Sequence, residues 1–280
     1  MRSVVVTGAS TGIGRATALR LDRAGWRVFA GVRRGEDADA LAAAASDALV
    51  PMFLDVTDPA QVAAAADLVA SGAVEAGLDG LVNNAGIAIG GAVEAVEIED
   101  LRHQLEVNFI GQAAVTKALL PYLRVARGRV VFVGSVNGRL ALPFLYPYSA
   151  SKYAIEALAD SLRGEVRPHG VEVSVVEPGA IDTPMRVKAR GAGDRIVEAM
   201  SADQERLYGK AIAGFLDAVA KGDERATRPE KVADAIVHAL TSRRPRTRYL
   251  IGLDARSQVL IRRLLPDRLG DRIVALAMRG

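Results

Sequence analysis

Short apolar runs rich in β-branched residues alternate along the chain with longer, alanine-rich segments of helical pattern. This alternation is typical of repeated βαβ units around a parallel sheet that is buried on both faces. The apolar runs predict seven strands, at 3–6, 27–32, 49–54, 80–82, 129–134, 171–176 and 248–252. We therefore expect an α/β fold of the doubly wound Rossmann type, with helices on both faces of a seven-stranded parallel sheet, in a single domain over 1–280.

Several helix ends and one long insertion are also legible. Gly25 is placed to stop the first helix, and residues 58–61 predict an N-cap aspartate, a proline at the first helical position and a capping-box glutamine. Pro229 begins a later helix in the same way. The stretch 182–228 follows the sixth strand, contains Gly191, Gly193 and Gly209 among its glycines, and has no strand signal. Long insertions in compact domains usually cover binding sites, so we expect a substrate lid here.

Composition excludes several classes of protein. Despite a mean hydropathy of +0.16, no stretch approaches the ~20 consecutive apolar residues of a membrane-spanning helix. Three valines lead directly into a glycine turn at the N-terminus, which leaves no room for the apolar region of a signal peptide. With no cysteine and only three scattered histidines, we expect neither a disulfide nor a metal site. These observations favour a cytoplasmic protein without a transmembrane anchor.

The net charge of +3 hides a basic C-terminal segment. Residues 241–280, a C-terminal extension, contain ten arginines and three aspartates, a net charge of +7. Such a segment could touch anionic lipid or nucleic acid, but a solvated helix face or an oligomer contact is the simpler interpretation. It lacks the interleaved aromatic residues typical of single-strand binding, so we expect no nucleic-acid partner. Apolar residues among the arginines leave peripheral membrane contact open.

Residues 4–14 combine a strand, a glycine-rich turn and a helix start in that order. Gly8 can adopt the unusual backbone angles of the turn, Gly12 lets a pyrophosphate approach the chain, and Gly14 permits close contact between helix and sheet. The helix N-terminus then supplies free amides and the positive end of a dipole. The sequence therefore predicts a dinucleotide site, although an ordinary tight turn would share the glycines. The loop lacks the Lys-Ser/Thr ending of a nucleoside-triphosphate site.

The choice of dinucleotide is expected at the end of the second strand, where an acidic residue would favour NAD and an arginine would favour NADP. Arg33 and Arg34 occupy that place. We favour NADP(H), because a guanidinium matches the geometry of a phosphate. Glu36 and Asp37 leave NAD(H) open as the cofactor. A solvated loop cation is the alternative interpretation of both arginines, and it fits Arg34 better than Arg33.

Tyr148 and Lys152 are four residues apart, so both can lie on one face of the same helix. A tyrosine with a pKa of about 10 is a poor acid–base catalyst at neutral pH, but a nearby lysine cation stabilises its phenolate and lowers that pKa. The phenol could then exchange a proton with an alcohol or carbonyl oxygen. The pair also occurs by chance on many helices. Ser135, at the end of the fifth predicted strand, strengthens the case because its hydroxyl could hold the substrate oxygen.

Taken together, these features resemble the short-chain dehydrogenase/reductase family from Ser3 to about Thr183. The resemblance rests on Thr7-Gly8-x-x-x-Gly12-Ile13-Gly14, Asp55-Val56, Asn83-Asn84-Ala85-Gly86, Asn108, Ser135, Tyr148-x-x-x-Lys152 and Pro178-Gly179. It implies an oxidoreductase that moves hydride between a nicotinamide dinucleotide and an alcohol or carbonyl. The stretch 148–183 and residues 248–252 are most similar to retinol and hydroxysteroid dehydrogenase-like members, which favours a lipophilic secondary alcohol or ketone.

The resemblance also implies a role for each matching residue. Tyr148 would be the acid–base residue, Lys152 would lower its pKa and bind the nicotinamide ribose, and Ser135 would position the substrate carbonyl. Asn108 would complete the set by holding a water that links Lys152 to solvent. The implied cofactor contacts are Gly8, Ser10, Thr11, Gly12, Ile13, Gly14, Arg33, Asp55, Val56, Asn83, Ala85, Gly86, Tyr148, Lys152, Pro178, Gly179, Ile181 and Thr183. The implied substrate contacts are Ser135, Leu142, Tyr148 and Met185, and the family suggests a homodimer or homotetramer.

The expected positions of the strand ends support the site independently of the resemblance. Ligands of open α/β sheets bind beyond the carboxyl ends of the strands. Six of the candidate residues each follow a different predicted strand and should meet at that edge: Gly8, Arg33, Asp55, Asn83, Ser135 and Pro178. The alternative is a non-catalytic NAD(P)-binding sensor or scaffold, which would keep the glycine loop but has no need of the full set of catalytic residues.

Overall fold

A computed structural model describes residues 1–73, 77–223 and 226–277. Seven parallel strands form one sheet in the order β3-β2-β1-β4-β5-β6-β7. The strands are β1 (Ser3–Val6), β2 (Arg27–Val32), β3 (Leu49–Phe53), β4 (Gly80–Asn83), β5 (Arg129–Val133), β6 (Glu172–Pro178) and β7 (Arg248–Ile251). The predicted sheet is confirmed, with the first two strands at the expected bounds and the others within two residues of them.

The described residues also form α-helices, several of which flank this sheet. They are α1 (Gly12–Arg23), α2 (Gly35–Ala42), α3 (Pro59–Ala73), α4 (Ile98–Leu105), α5 (Gly111–Ala126), α6 (Tyr146–Val166), α7 (Pro184–Glu198), α8 (Ala202–Asp223), α9 (Pro229–Thr241), α10 (Leu253–Leu264) and α11 (Asp267–Ala277). A turn of π-helix (Glu106–Ile110) joins α4 to α5, and a 3₁₀ turn (Val136–Gly138) follows β5.

Alternating strand residues build a core on each face of the sheet. Val5 is fully buried on the face covered by α3, α5 and α6, while Val4 and Val6 are fully buried on the opposite face under α1 and α9. Successive side chains of a strand point to opposite faces, so a parallel sheet covered on both sides needs apolar residues at nearly every position. This requirement explains the uninterrupted valine runs.

The predicted helix ends are confirmed, with one exception. Gly25 has a φ of +78° just beyond α1, and the Oδ1 of Asp58 accepts from the amides of Ala60 (2.9 Å) and Gln61 (3.3 Å). The Gln61 side chain, however, accepts from the N–H of Asp55 (2.8 Å). The capping-box expectation for Gln61 was wrong because the N–H of Asp58 is already engaged by the Asp55 carbonyl at 3.1 Å.

The stretch 182–228 is largely helical, forming α7 and α8, and a bridge between Ile181 and Thr227 closes its base. The helices pack over the loop that follows β4. Tyr208 donates to Glu94 at 2.6 Å, and the rings of Phe144 and Phe215 meet edge to face at 5.9 Å. Its role as a lid stays a prediction.

Candidate active site

The predicted site residues meet at the carboxyl-terminal edge of the sheet. All six strand pairings are parallel, so the ends of the strands carry Gly8, Arg33, Asp55, Asn83, Ser135 and Pro178 to one side. The strand order reverses direction between β1 and β4, which is where ligands bind in open α/β sheets. The glycine loop after β1 lies at that reversal.

The glycine loop has the backbone that a pyrophosphate site requires. Gly8 and Gly12 have φ values of +63° and +54°, which side chains rarely tolerate. A Cβ on Gly14 would collide with the Gly8 carbonyl and the Asn84 amide, so the helix can approach the sheet only with glycine there. Thr11 precedes α1 without capping it through its side chain, which leaves the first amides of the helix to an anion. These residues fit a dinucleotide.

Asn84 and Thr7 brace this loop, a role that the sequence reasoning missed. Asn84 Nδ2 donates to the carbonyls of Thr7 (2.9 Å) and Gly8 (3.0 Å), and Thr7 Oγ1 accepts from the amides of Asn84 and Ala85, both at 2.9 Å. The neighbouring Asn83, predicted as a cofactor contact, is fully buried, and its amide donates to Thr116 on α5 at 2.8 Å. The Asn83 side chain thus packs within the core.

The two arginines after β2 have different surroundings. Arg34 pairs with Glu36 (2.9 Å) and Asp37 (3.0 Å). The Arg33 guanidinium lies 3.8 Å from Asp55 and is 62% exposed, so it remains available beside the predicted ribose position. Burial opposes ionisation of Asp55, but hydrogen bonds from Thr57 and the charge of Arg33 outweigh it and lower the pKa of that carboxyl. The structure supports the preference for Arg33 over Arg34.

The Tyr148 phenol sits at the start of α6 beside Ser135. Burial raises the pKa of Tyr148 above its usual value, while the hydrogen bond with Ser135 and the positive charge of Arg186 act in the opposite direction. Ser135 also starts the 3₁₀ turn, where its hydroxyl accepts from the amide of Asn137 at 3.1 Å. Arg186, on the first turn of α7, was not singled out from the sequence, although it directly follows the predicted substrate contact Met185.

Lys152 is 4% exposed and lies one turn beyond Tyr148 on the same helix. Its Nζ donates to the Val133 carbonyl at 2.8 Å and lies 5.6 Å from the centre of the Tyr148 ring. Burial lowers the pKa of Lys152 to about 8, partly offset by the carboxylate of Glu156. The ammonium is thus held at the end of β5, with a pKa well below that of a free lysine.

Asn108 lies in the π-helical turn and is fully buried. Its side chain accepts from the amide of Ile87 (2.8 Å) and donates to the Ile87 carbonyl (3.0 Å) and to Ser151 Oγ (3.1 Å). These contacts tie the loop after β4 to α6. One acceptor site and both donors of the amide are thus occupied within the protein, and the water-holding role stays a prediction.

The segment after β6 faces the glycine loop. A Cβ on Gly12 would lie 2.9 Å from Thr183 Cγ2, so the two ends of the site are in close approach. Gly179 donates its N–H to the Ile251 carbonyl at 2.9 Å, and Asp254 of α10 accepts the N–H of Ala180 at 2.7 Å. The start of the C-terminal segment therefore fixes the backbone of the predicted nicotinamide contact.

The remaining predicted contacts divide by burial. Ser10, Thr11, Gly86 and Met185 are at least partly exposed at the edge. The side chains of Val56 and Ile181 are about 5% exposed and pack into the two cores, with Ile13 and Ala85 packed against them. Leu142 packs on a small cluster of Val136, Leu140 and Ala255. It thus links the loop before Tyr148 to α10.

Comparison with known proteins agrees with this architecture. The family model described as short chain dehydrogenase matches residues 2–193. Retinol dehydrogenase 5 of Mus musculus is 40% identical over 97% of the chain and 87% of the relative. The 17-beta-hydroxysteroid dehydrogenase type 6 of Rattus norvegicus is 39% identical over 99% and 88%.

Solved structures show the same fold. A short-chain dehydrogenase from Streptomyces avermitilis aligns with a TM-score of 0.79 and 32% identity, covering 98% of this chain and 95% of that one. A short chain dehydrogenase from Burkholderia cenocepacia in complex with NADP aligns with a TM-score of 0.74 and 27% identity, covering 97% and 98%. Fold and site together define a Rossmann-type oxidoreductase. The chain belongs to the short-chain dehydrogenase family.

Proposed function

We propose that the protein transfers hydride between a nicotinamide dinucleotide, with NADP(H) preferred, and a lipophilic substrate, which is either a secondary alcohol and its ketone or a primary alcohol and its aldehyde. The observation that carries this proposal is the convergence of Ser135, Tyr148 and Lys152 with the glycine loop at one sheet edge. A non-catalytic sensor would need the glycine loop but not a phenol, a hydroxyl and a buried ammonium placed together.

The side chains divide the work on the substrate. Ser135 would hold the substrate oxygen, and Tyr148 would donate a proton to it in reduction or accept one in oxidation. The bound nicotinamide would supply or accept the hydride. The glycine loop and the first turn of α1 would hold its pyrophosphate, Arg33 the 2′-phosphate, and Lys152 the nicotinamide ribose. The lid formed by 182–228 would exclude water from the reacting atoms.

The lipophilic substrate class is supported by the relatives and by an aromatic contact between the loop before Tyr148 and α8. Two relatives at about 40% identity are named for retinol and a hydroxysteroid. Phe144 and Phe215 lie between the loop before Tyr148 and α8, and Phe215 is 9% exposed. An aromatic wall of this kind suits a hydrocarbon ring or chain better than a small polar carbonyl.

The test is NADPH consumption with retinaldehyde, a 17-ketosteroid and a small polar ketone, and NADP⁺ reduction with the matching alcohols. We expect turnover of the lipophilic compounds and a loss of about 10²- to 10⁴-fold in Tyr148→Phe. Tyr153→Phe is the matched control, since Tyr153 is 43% exposed on the same helix. Equal rates in wild type and Tyr148→Phe would contradict the mechanism, and cofactor binding without turnover of any substrate would favour the sensor.

We further propose peripheral contact between the C-terminal helices and an anionic bilayer. None of the helices in the described ranges is long and apolar enough to span a membrane. Exposed apolar and basic residues do share α10 and α11: Leu253, Leu260, Ile261, Leu264, Leu269 and Ile273 with Arg256, Arg262, Arg263, Arg268 and Arg272. Such helices bind an anionic surface by burying apolar side chains among lipids while arginines meet the headgroups. Met278, part of the same pattern, lies outside the described residues.

Vesicle co-sedimentation tests this contact. We expect binding to vesicles that contain phosphatidylserine, weaker binding to neutral vesicles, and loss of binding on deletion of residues 264–280 or in Leu260→Ser/Leu264→Ser. Leu207→Ser is a control, because Leu207 is 64% exposed and belongs to α8, outside α10 and α11. Sedimentation that is unchanged by the deletion would contradict the proposal.

A homodimer or homotetramer in the cytoplasm is the assembly and location that we propose. Ile98, Ile110 and Tyr153 are 54%, 46% and 43% exposed on three helical segments that pack together, an apolar surface that a second copy could cover. Sedimentation velocity of the purified chain tests the assembly, and a monomer at micromolar concentration would contradict it. Fractionation of cells producing the protein tests the location.

A further inference from the structure

A network of buried charges lies behind α6. Glu156 is 9% exposed and Glu177, on β6, is fully buried. The Nε of Arg248 lies between them, 3.0 Å from Glu156 and 3.3 Å from Glu177. Arg248 also binds both oxygens of Asp160 at 2.8 Å, and Arg139 binds Glu177 at 2.8 Å. Two carboxylates therefore share one guanidinium nitrogen in the interior.

This network reaches the lysine of the active site. Glu156 follows Lys152 by one helical turn, and its Oε1 lies 3.3 Å from the position of a Cβ on Gly134. The preceding residue, Val133, provides the carbonyl that binds Lys152 Nζ. The Glu156 carboxylate thus lies beside Gly134, and the Lys152 ammonium lies beside the preceding residue, Val133, at the end of β5. The negative charge of Glu156 raises the pKa of Lys152 against the effect of burial.

The carboxylates of Glu156 and Glu177 have too few hydrogen-bond donors around them to offset the free-energy cost of a buried negative charge. In the described part of the chain, Glu156 Oε1 and Glu177 Oε2 are buried and have no hydrogen-bond partner. An ionised oxygen in that position is destabilised by the loss of water. Burial and the charge of Glu177 raise the pKa of Glu156 to about 7, despite Arg248 and Arg139. The network therefore takes up or releases a proton close to neutral pH.

We propose that Glu156 is a positioning residue whose charge controls proton loss from the Tyr148–Lys152 pair. The inference rests on the proposed function. An ionised Glu156 makes the first proton loss from the pair harder, whichever of the two groups loses the proton. Glu177 and Arg248 determine the pH at which that charge forms. The charged groups that face Glu156 are Lys152 and Asp160 on α6, Glu177 on β6, Arg248 on β7 and Arg139 after the 3₁₀ turn.

The experiment measures kcat/KM for carbonyl reduction against pH in wild type, Glu156→Gln, Glu156→Asp and Asp160→Asn. We expect the alkaline limb of Glu156→Gln to move to lower pH by on the order of one unit. Glu156→Asp, with its charge one methylene farther from Lys152, should move it less. Asp160→Asn should leave it in place, because Asp160 binds the same arginine but lies two turns from Lys152 and is half exposed. A merely structural role would lower the amount of active enzyme without moving the limb.

A second measurement does not depend on turnover. The raised pKa of Glu156 means that the wild type should lose thermal stability relative to Glu156→Gln as pH rises from 5 to 8. An unmoved limb in folded Glu156→Gln, or an equal movement in Asp160→Asn, would overturn the proposal, as would parallel stability profiles. If Glu156→Gln does not fold, the test is whether the alkaline limb moves further in Glu156→Asp than in Asp160→Asn. A wild type that turns over no carbonyl would instead refute the proposed function, and the stability profiles would still test the buried charge.

Discussion

Asn84 donates two hydrogen bonds to Thr7: its side-chain amide donates to the Thr7 carbonyl at 2.9 Å, and its main-chain amide donates to the Thr7 hydroxyl at 2.9 Å. This pairing joins the ends of β1 and β4 at the point where the strand order reverses. The glycine loop is held between them, so its conformation depends on a residue about 75 positions away in the chain.

We predict that Asn84→Ala weakens cofactor binding by about tenfold, because the carbonyls of Thr7 and Gly8 lose their donor and the loop is no longer fixed. Titration of NADPH fluorescence measures the dissociation constant. Asn83→Ala is the comparison: it removes a buried contact with Thr116, so it should lower the thermal midpoint and change the dissociation constant less. A larger loss of affinity in Asn83→Ala would restore Asn83 as a cofactor contact.

The preference for NADP should depend on Arg33. We expect Arg33→Ala to lower the ratio of kcat/KM for NADPH over NADH by about tenfold or more, which corresponds to about 1.4 kcal/mol. Arg34→Ala should change it little, because Arg34 is paired with Glu36 and Asp37. Steady-state rates with both nicotinamides supply the ratio. An unchanged ratio in Arg33→Ala would remove that residue from the site.

Gly12→Ala should combine backbone strain with a collision. Its φ of +54° disfavours a side chain, and the new Cβ would lie 2.9 Å from Thr183 Cγ2. Gly25→Ala is the matched control, since Gly25 has a φ of +78° and nothing within 4 Å of the added carbon. Both should lose about 1–2 kcal/mol of stability to strain. A defect in cofactor affinity is expected only in Gly12→Ala, and equal affinities in the two variants would contradict the close approach.

Lys152→Met should stabilise the protein while abolishing most turnover. Burial lowers the pKa of Lys152 from 10.5 to about 8, so below pH 8 the folded state bears the cost of a buried cation. That cost, about 3 kcal/mol, is relieved as pH rises from 8 towards 10.5. Chemical denaturation at pH 7 and pH 10 should show a gain in Lys152→Met at pH 7 that shrinks at pH 10. A wild type more stable than the variant at pH 7 would contradict this sign.

Ser135→Ala should reveal two separate roles of the hydroxyl, one in catalysis and one in capping the 3₁₀ turn. The hydroxyl begins the 3₁₀ turn by accepting from Asn137, and it also contacts the Tyr148 phenol. We expect kcat to fall by about 10²- to 10³-fold, with a loss of stability of about 1 kcal/mol. Ser135→Thr keeps the hydroxyl and should retain most of the stability. Wild-type turnover in Ser135→Ala would exclude a role in holding the substrate oxygen.

The sheet and its functional edge could be predicted because both follow from local patterns. Buried parallel strands read as apolar runs, and parallel pairing brings every strand end to one side. The roles of Asn83 and Asn84 were harder to separate because the two are adjacent. Strand alternation was the available signal: Asn83 shares a face with Leu81, which packs against the core under α5.

Other features leave no local mark in the sequence. Glu156 and Arg248 are 92 residues apart in the chain and lie on different elements, so no spacing rule in the sequence connects them. Gln61 accepts from the N–H of Asp55 instead of the N–H of Asp58, because the N–H of Asp58 is used in a turn with the Asp55 carbonyl. Arg186 comes close enough to affect the pKa of Tyr148 only through the tertiary packing of α7, which no local pattern shows.

The π-helical turn at Glu106–Ile110 holds one residue more than a regular helix would need there. Removing a single residue from it would let α4 and α5 join as one α-helix, yet every side chain on one side of the cut would rotate by about 100° relative to the other. Asn108 would then face away from Ile87 and Ser151. The π-helical turn therefore sets the rotation of α5 relative to α4. With this rotation, α5 faces the core while Asn108 faces the candidate active site.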